Sequence, residues 1–208
     1  MVPTQNSGVA MRGAETRVPL RVVSVNGSLH APSKTGALIQ AILDQLGRAH
    51  PIDAHRIEIS EIGPHFAGAL ERSQLPAGVE SELQRIEQAD LLVVGSPVYR
   101  ATFTGLFKHL FDFVGQYELV DKPVFLAATG GGERHALILE HQFRPLFGFF
   151  QALTLPLGVY ASNTDFAGYE ISSTVLSERI ELAIQRGLPI ALAGRVQRND
   201  ISDYVGAW

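Results

Sequence analysis

The chain has 208 residues, of which 46% are hydrophobic and 18% are charged, and this is enough for one sizeable domain with a hydrophobic core. Its net charge of -4 argues against nucleic acid as the main partner, because a phosphate backbone is bound by a basic surface. The absence of cysteine excludes disulfides, thiolate catalysis, iron–sulfur clusters and cysteine-ligated zinc, so redox chemistry would require a bound cofactor.

The ends of the chain differ in composition from its middle. The first 19 residues lack the apolar stretch of a signal peptide, and no apolar segment reaches the roughly 20 residues that span a bilayer. We therefore expect a cytoplasmic protein that binds neither membrane nor nucleic acid. We expect a disordered N-terminal extension over 1–19, one folded domain over 20–195 and a C-terminal tail over 196–208.

Segments typical of strands and of helices alternate along the folded part. The strands are short apolar runs between Gly, Pro, Ser or Asn, and the helices repeat apolar residues at spacings of three and four. In chain order these are strand Leu20–Val25, helix Thr35–Leu46, edge strand Ile52–Ile59, loop Glu61–Gly78, helix Val79–Gln88, strand Leu91–Val94, helix Gly105–Val114, strand Val124–Ala128, helix His135–Leu153, strand Leu157–Ala161, loop Asn163–Ser173 and helix Val175–Ala193.

This alternation predicts an α/β fold with a parallel sheet and right-handed crossovers. Five strands and five helices fit a flavodoxin-like three-layer αβα sandwich, with a five-stranded parallel sheet of order 2-1-3-4-5. In such sheets ligands bind beyond the carboxyl ends of the strands, at the switch point of the strand order. The loops after the first, third and fourth strands are therefore the candidate site.

The loop after the first strand, 26–35, is rich in hydroxyl groups and leads into a helix. Ser28, Ser33 and Thr35 can donate to a phosphate, as can the N–H groups at the helix start, and His30 and Lys34 can add positive charge. An ordinary N-cap by Ser33 or Thr35 explains the same residues, and their spacing does not separate the two interpretations. Neither the P-loop pattern nor the Gly-x-Gly-x-x-Gly fingerprint is present, which favours a mononucleotide over a dinucleotide.

The loop after the third strand, 95–105, joins a rigid proline to an aromatic residue. Pro97 stiffens the turn, and Tyr99 offers a flat face with a polar tip that suits an aromatic ligand. The hydroxyl of Thr102 can reach a polar edge of that ligand. A solvent-exposed loop with a packed tyrosine is the alternative.

The loop after the fourth strand contains three consecutive glycines, Gly130 to Gly132. Without side chains the backbone can approach a flat ligand closely, and its N–H groups are suitable partners for the pyrimidine edge of a flavin. An ordinary turn needs fewer glycines than this.

Taken together, these loops resemble those of the NADPH-dependent FMN reductases. The resemblance rests on Gly27-Ser28 with Pro32-Ser33, on Ser96-Pro97-Val98-Tyr99 with Gly105-Leu106-Phe107-Lys108, and on Ala128-Thr129-Gly130-Gly131. It runs from about residue 21 to residue 195. Within the family, the chain is similar above all to the flavin reductases of two-component sulfonate monooxygenases, in particular that of the methanesulfonate system.

The resemblance implies a role for each loop. The FMN phosphate would be surrounded by Ser28, His30, Ser33, Lys34 and Thr35. The ring and ribityl chain would be lined by Pro97, Val98, Tyr99, Arg100 and Thr102. The pyrimidine edge would be held by Thr129, Gly130 and Gly131. The family often has arginine where this chain has Leu29-His30.

The resemblance also directs attention to His141 in the fourth predicted helix. Related reductases carry an inserted tyrosine there, which forms a π-bulge at a tetramer interface beside the flavin. His141 occupies the corresponding position and would tune the flavin site with a titratable ring. An ordinary helix-face histidine is the alternative. Several aromatic residues follow His141, namely Phe143, Phe147, Phe149 and Phe150, and an oligomer interface explains their number better than core packing alone. The family implies a homotetramer built as a dimer of dimers.

The implied activity is that of an NAD(P)H-dependent FMN reductase, with FMN and either NADH or NADPH as cofactors. Reduced FMN would pass to a partner flavin-dependent monooxygenase in sulfonate sulfur assimilation. The alternatives are an FMN-containing reductase of quinones, azo dyes or chromate, and a flavodoxin-type electron carrier without enzymatic activity. The histidine spacing predicts no metal site, and the Gly-x-Ser-x-Gly motif of a serine hydrolase is absent.

Overall fold

The computed structural model describes residues 18–197, with the side chains of 195–197 excepted. The other residues of the expected extension and tail lie outside the described part. The main sheet contains β1 (Leu20–Asn26), β2 (Ile52–Glu58), β3 (Leu91–Pro97), β4 (Pro123–Gly130), β5 (Leu153–Thr154) and β6 (Val159–Ser162). Its order is β2-β1-β3-β4-β5, β6 also pairs with β4, and every pairing is parallel. The predicted flavodoxin-like sheet order is therefore confirmed.

Helices cover both faces of this sheet. They are α1 (Lys34–Ala49), α2 (Ile59–Phe66), α3 (Ala77–Gln88), α4 (Gly105–Asp112), α5 (Arg144–Phe149) and α6 (Thr174–Gln197). Alternate strand residues face opposite layers. Val22 and Val93 pack in the core beneath α1 and α6, whereas Val23 and Val94 pack beneath the helices of the other layer.

The region predicted as a loop over Glu61–Gly78 is in part helical. It contains most of α2 and a 3₁₀ turn over Arg72–Gln74. Gly63 and Pro64 obscured a short apolar stripe in which Ile59, Gly63 and Phe66 are buried. The helix exists because this stripe packs against the sheet, a tertiary effect that local propensity does not reveal.

The predicted helix His135–Leu153 is interrupted in the structure. A 3₁₀ turn covers Glu133–His135, a π-helical turn covers Leu139–Phe143, and α5 ends at Phe149. The N–H of Arg144 bonds to the carbonyl of Leu139 across the π turn. Pro145 has no N–H to continue an α-helical pattern into this turn, which is one physical reason for the interruption.

The last predicted strand and loop also have more structure than expected. The fifth strand position is divided between β5 and β6, because the chain leaves the sheet around Pro156 before pairing with β4 again. The predicted loop Asn163–Ser173 forms a 3₁₀ turn (Asn163–Asp165) and the antiparallel pair β7 (Phe166–Ala167) and β8 (Glu170–Ile171). Gly168, with φ of 64°, makes the turn between them.

Arg72 forms the centre of an ion-pair network beside α3. Its guanidinium donates to Glu80 at 2.7 and 2.9 Å and to Glu87 at 2.5 and 3.0 Å. The hydrogen bonds from Arg72 hold the pKa of Glu80 below its ordinary value of 4.5. Only 11% of the Glu87 side chain is exposed, so this carboxylate depends on its partner.

We expect the Arg72→Gln variant to lose about 1–3 kcal/mol of unfolding free energy at neutral pH, because it removes the cation that pairs with a largely buried carboxylate. The folded-state pKa of Glu80 is depressed, so its contribution is fully present above pH 4.5 and is lost as the pH falls below that value. Urea titrations from neutral to acidic pH measure both effects. A variant as stable as the unmodified protein, with an unchanged acid limb, would contradict this account.

Candidate active site

The three predicted loops meet through direct hydrogen bonds at the carboxyl edge of the sheet. The hydroxyls of Thr35 and Thr129 are 2.7 Å apart and buried, and they join the first loop to the third. The N–H of Val98 donates to the carbonyl of Thr129 at 2.7 Å, which joins the second loop to the third. Gly27 donates its N–H to the carbonyl of Gly95 at 2.7 Å. The loops therefore form one rim.

The loop after β1 is shaped as an anion cradle. Ser33 caps α1, since its hydroxyl accepts from the N–H of Gly36 at 3.0 Å, so the N-cap interpretation is correct for this residue. Within residues 18–197, the N–H groups of Lys34 and Thr35 donate to no protein acceptor. Two free donors at the positive end of a 16-residue helix fit a phosphate group.

Asn26 fixes this cradle from below. Its side-chain oxygen accepts from the N–H of Ser28 at 3.1 Å, and its amide nitrogen donates to the hydroxyl of Ser33 at 3.3 Å. The same nitrogen donates to a carboxylate oxygen of Glu58, at the end of β2, at 2.6 Å. Neither Asn26 nor Glu58 was a predicted site residue, because the pairing of β1 with β2 brings them together over 32 positions of sequence.

Tyr160 on β6 supports the glycine loop after β4. Its hydroxyl donates to the carbonyl of Gly132 at 2.6 Å. Burial and then the charge of Glu133 raise the pKa of Tyr160, so the hydroxyl stays protonated and keeps donating. A Cβ atom on Gly130 would lie 2.3 Å from this oxygen, whereas one on Gly132 would have no neighbour within 4 Å. Gly130 is therefore required by its contact with Tyr160.

The loop after β3 contains a tight turn with an unusual backbone. Tyr99 and Thr102 pair through two backbone hydrogen bonds of 2.8 and 3.2 Å. Between them, Arg100 and Ala101 have φ angles of 50° and 71°. Two successive residues with side chains in the left-handed region are unfavourable, and such turns usually contain glycine or asparagine.

We expect the Ala101→Gly variant to gain about 1 kcal/mol of unfolding free energy, because glycine adopts this backbone conformation without a Cβ conflict. Ala101→Val should have the opposite effect, since a β-branched residue fits this region least well. Urea unfolding of both variants checks the signs. A loss of stability in the glycine variant would mean that the turn is not strained.

The π turn contacts this strained turn but does not reach the cleft. Thr102 donates its hydroxyl to the side-chain oxygen of Gln142 at 3.1 Å. The adjacent residue, His141, lies within the π turn and is exposed to solvent. The hydrogen bond between Thr102 and Gln142 connects the π turn to the loop after β3.

A fourth segment, which sequence reasoning missed, completes the site. This segment forms a wall of the cleft from the last residue of β6, Ser162, and from Asn163, Phe166 and Tyr169, which follow it. Lys34 donates to the side-chain oxygen of Asn163 at 2.9 Å, and its ammonium lies 5.6 Å from the centre of the Phe166 ring. This segment could have been found from the parallel sheet, because a last strand beside β4 must end at the same rim and the residues after it must lie there.

The four segments enclose a cleft of about 320 Å³. Eleven of the thirteen residues predicted to bind the cofactor line it, and the other two, Arg100 and Thr102, do not. His141, which was predicted to tune the site, does not line it either. The lining residues are Ser28, His30, Pro32, Ser33, Lys34, Thr35, Pro97, Val98, Tyr99, Thr129, Gly130, Gly131, Ser162, Asn163, Phe166 and Tyr169. The cleft thus combines an anion cradle, backbone groups and flat side chains.

Two further observations concern the part of the chain that the structure describes. Its acidic and histidine side chains form no group that could hold a metal ion. None of its helices is both long enough and apolar enough to cross a membrane.

Comparison with known proteins agrees with this geometry. The sequence model of the family described as NADPH-dependent FMN reductase matches residues 20–167. The protein named NADH-dependent FMN reductase SfnF from Pseudomonas fluorescens is 55% identical over 172 residues, which cover 83% of this chain and 92% of that protein. The protein named FMN reductase (NADPH) from Pseudomonas aeruginosa is 52% identical over 172 residues, which again cover 83% of this chain and 92% of that protein. A crystal structure of an oxidoreductase from Corynebacterium diphtheriae, 30% identical, superimposes with a TM-score of 0.73 over 85% of this chain and 99% of that one.

Proposed function

The chain belongs to the NADPH-dependent FMN reductase family, whose members use NAD(P)H and FMN, and we propose that it supplies reduced FMN to a flavin-dependent monooxygenase in sulfonate sulfur assimilation. The activity itself, NAD(P)H-dependent reduction of FMN, follows from the family. The proposal adds the partner, its pathway and a cytoplasmic location. One observation supports the proposed flavin site above all others. The anion cradle of the first loop and the glycine loop after β4 line the same cleft.

The residues present fit FMN. The free N–H groups of Lys34 and Thr35, with the hydroxyl of Ser33 and the side chains of His30 and Lys34, would hold the phosphate. The hydroxyl of Ser28 donates to the carbonyl of His30 at 2.9 Å and shapes the loop around it. Pro97, Val98 and Tyr99 would lie against the ring and ribityl chain. The backbone of Thr129, Gly130 and Gly131 would hold the pyrimidine edge. When bound, FMN supplies the redox chemistry by taking up a hydride from NAD(P)H, with the accompanying proton drawn from solvent.

The protein's own contribution is position and access. The hydrogen bonds among Thr35, Thr129 and Val98 hold the loops at fixed separation, so a bound ring needs no rearrangement of the rim. The side chain of Tyr99 is 42% exposed, and Gly131 is also exposed. Such an open wall supports both the approach of a nicotinamide and the departure of a flavin to a partner enzyme.

Arg100, Thr102 and His141 enter the proposal as indirect contributors. Thr102 would couple the turn beside the ring to Gln142, and through it His141 would tune flavin affinity. Comparing the FMN affinity of the unmodified protein with that of a His141→Tyr variant tests this role, which requires the two affinities to differ.

The activity test uses the purified protein with FMN and each nicotinamide nucleotide. Oxidation of NADH or NADPH should depend on added FMN, and adding a purified FMN-dependent sulfonate monooxygenase together with a sulfonate and O2 should yield sulfite. A quinone should be reduced more slowly than FMN. Faster turnover of the quinone would favour the quinone reductase alternative, and no nucleotide oxidation would contradict the proposal.

The expected homotetramer is part of the same proposal. An apolar groove of about 490 Å³ is lined by Phe111, Val114, Leu146, Phe149 and Phe150, with Lys108 and Asp112 among its polar residues. Phe149 is 63% exposed, an unusual position for a large apolar side chain. Opposite charges beside an apolar patch suit a self-complementary contact with a second copy of the chain.

We expect the Phe149→Lys variant to shift the protein to smaller species in sedimentation velocity, because a charge would be buried in the contact. Val175→Lys is the matched control, since Val175 is also exposed but lies on α6 in the opposite layer. Equal sedimentation of the Phe149→Lys variant and the unmodified protein would exclude this face as the interface.

A further inference from the structure

A second cleft, of about 590 Å³, adjoins the proposed phosphate cradle on its outer side. It lies between α1 and the carboxyl end of β2, and it shares Pro32, Ser33 and Tyr169 with the first cleft. A molecule bound to the first cleft could therefore extend into the second without leaving the protein surface. The FMN reductase activity itself assigns no role to this space.

The polar residues of the second cleft are held in place by one another. The carboxylate of Glu58 accepts from Arg56 at 2.6 and 3.2 Å and from Asn26 at 2.6 Å. Arg56 also donates to the side-chain oxygen of Gln40 at 2.5 Å. Only 16% of the Glu58 side chain is exposed. A carboxylate has about four acceptor positions, so this fixed group retains capacity for a ligand hydroxyl.

The composition of the cleft matches the groups of an adenosine. The carboxylate of Glu58 can accept from the ribose diol, as an acidic residue downstream of the phosphate loop does in dinucleotide-binding α/β folds. The amide of Gln40 can meet the polar edge of a purine. The ring of Tyr169, 53% exposed between the two clefts, offers a flat stacking surface.

We propose that the second cleft binds the adenosine part of a nucleotide whose reactive part occupies the first cleft. Two nucleotides that a flavin reductase can meet contain adenosine, NAD(P)H and FAD. The inference rests on the proposed flavin site. An additional 2′-phosphate would be disfavoured, because Arg56 is already engaged by Glu58 and Gln40 while Glu61 adds a further negative charge. The cleft therefore favours NADH over NADPH if it serves the nicotinamide nucleotide.

The test fills the second cleft and leaves the first intact. Gln40→Trp places a bulky ring in the second cleft, and Asp44→Trp is its matched control one helical turn further along α1. Both variants lose the 2.7 Å hydrogen bond between Gln40 and Asp44. Gln40→Trp fills the cleft and also loses the 2.5 Å hydrogen bond that Gln40 accepts from Arg56, so the FMN titration reports whether this second loss disturbs the first cleft. Circular dichroism and FMN titration check that each variant is folded with its flavin site retained.

Binding of ADP-ribose is then measured by calorimetry, and KM is measured for NADH and for reduced nicotinamide mononucleotide, which lacks adenosine. Affinities for FAD and FMN are compared in parallel. If the nicotinamide nucleotide supplies the adenosine, Gln40→Trp should weaken ADP-ribose and raise the KM for NADH by about tenfold or more, with the mononucleotide unchanged. If FAD supplies it, only the affinity for FAD should fall by that factor.

Unchanged ADP-ribose and FAD binding in Gln40→Trp would overturn the inference, as would equal losses in Asp44→Trp. These outcomes leave the proposed function standing when FMN is still reduced. If the unmodified protein reduces no FMN, the proposed function fails, and ADP-ribose binding still decides the inference.

Discussion

Replacing Gly130 with alanine is expected to lower the affinity for FMN by about 10- to 100-fold, equivalent to roughly 1.4–2.7 kcal/mol. The added Cβ would lie 2.3 Å from the hydroxyl oxygen of Tyr160 and 3.2 Å from the ring carbon that bears it. Tyr160 cannot simply withdraw, because its hydroxyl is bonded to the carbonyl of Gly132 at 2.6 Å. The glycine loop or the tyrosine must move, and either movement displaces the backbone proposed to hold the flavin edge. Fluorescence titration with FMN measures the loss.

The adjacent glycine provides a matched control for this prediction. A Cβ on Gly132 has nothing within 4 Å, so Gly132→Ala should bind FMN almost as the unmodified protein does. Adding Tyr160→Phe to Gly130→Ala removes the closest oxygen and should recover part of the affinity. Equal losses in Gly130→Ala and Gly132→Ala would show that glycine is needed throughout the loop for the ligand itself.

Riboflavin is expected to bind at least about 100-fold more weakly than FMN, a difference of roughly 2.7 kcal/mol. The two ligands differ by the phosphate group alone. The first loop offers that group the free N–H groups of Lys34 and Thr35 at the start of α1, together with the ammonium of Lys34. Hydrogen bonds to a charged group are stronger than neutral ones, and losing several of them accounts for the expected ratio. Parallel titrations with both flavins measure it.

Lys34→Met should reduce this discrimination by about tenfold, because it removes a cation beside the phosphate and leaves the ring contacts unchanged. Lys108→Met is the control, since Lys108 is a partly exposed helical lysine that lies outside the cleft and pairs with Asp112. A Lys34→Met variant that loses FMN and riboflavin affinity equally would show that Lys34 acts on the loop structure through Asn163 and Phe166.

The tertiary structure alone decided several parts of the site. Glu58 supports the phosphate cradle only because β1 and β2 pair in register, and Tyr160 restricts Gly130 only because β6 returns to β4. The wall after β6 and helix α2 depend in the same way on packing between distant segments. The π turn interrupts a segment whose apolar pattern is typical of one continuous helix. None of these contacts leaves a local pattern in the chain.

The sequence by itself determined the strand order, the three loops of the rim and the family. Buried parallel strands need continuous apolar runs, and these are visible in any single chain. Parallel strands also place their carboxyl ends at one edge, so Ser33, Tyr99 and Gly130 could be assigned to a common site before any contact was known. Which of their neighbours hold them in place is a matter of side-chain packing over long sequence separations, and only the folded chain fixes it.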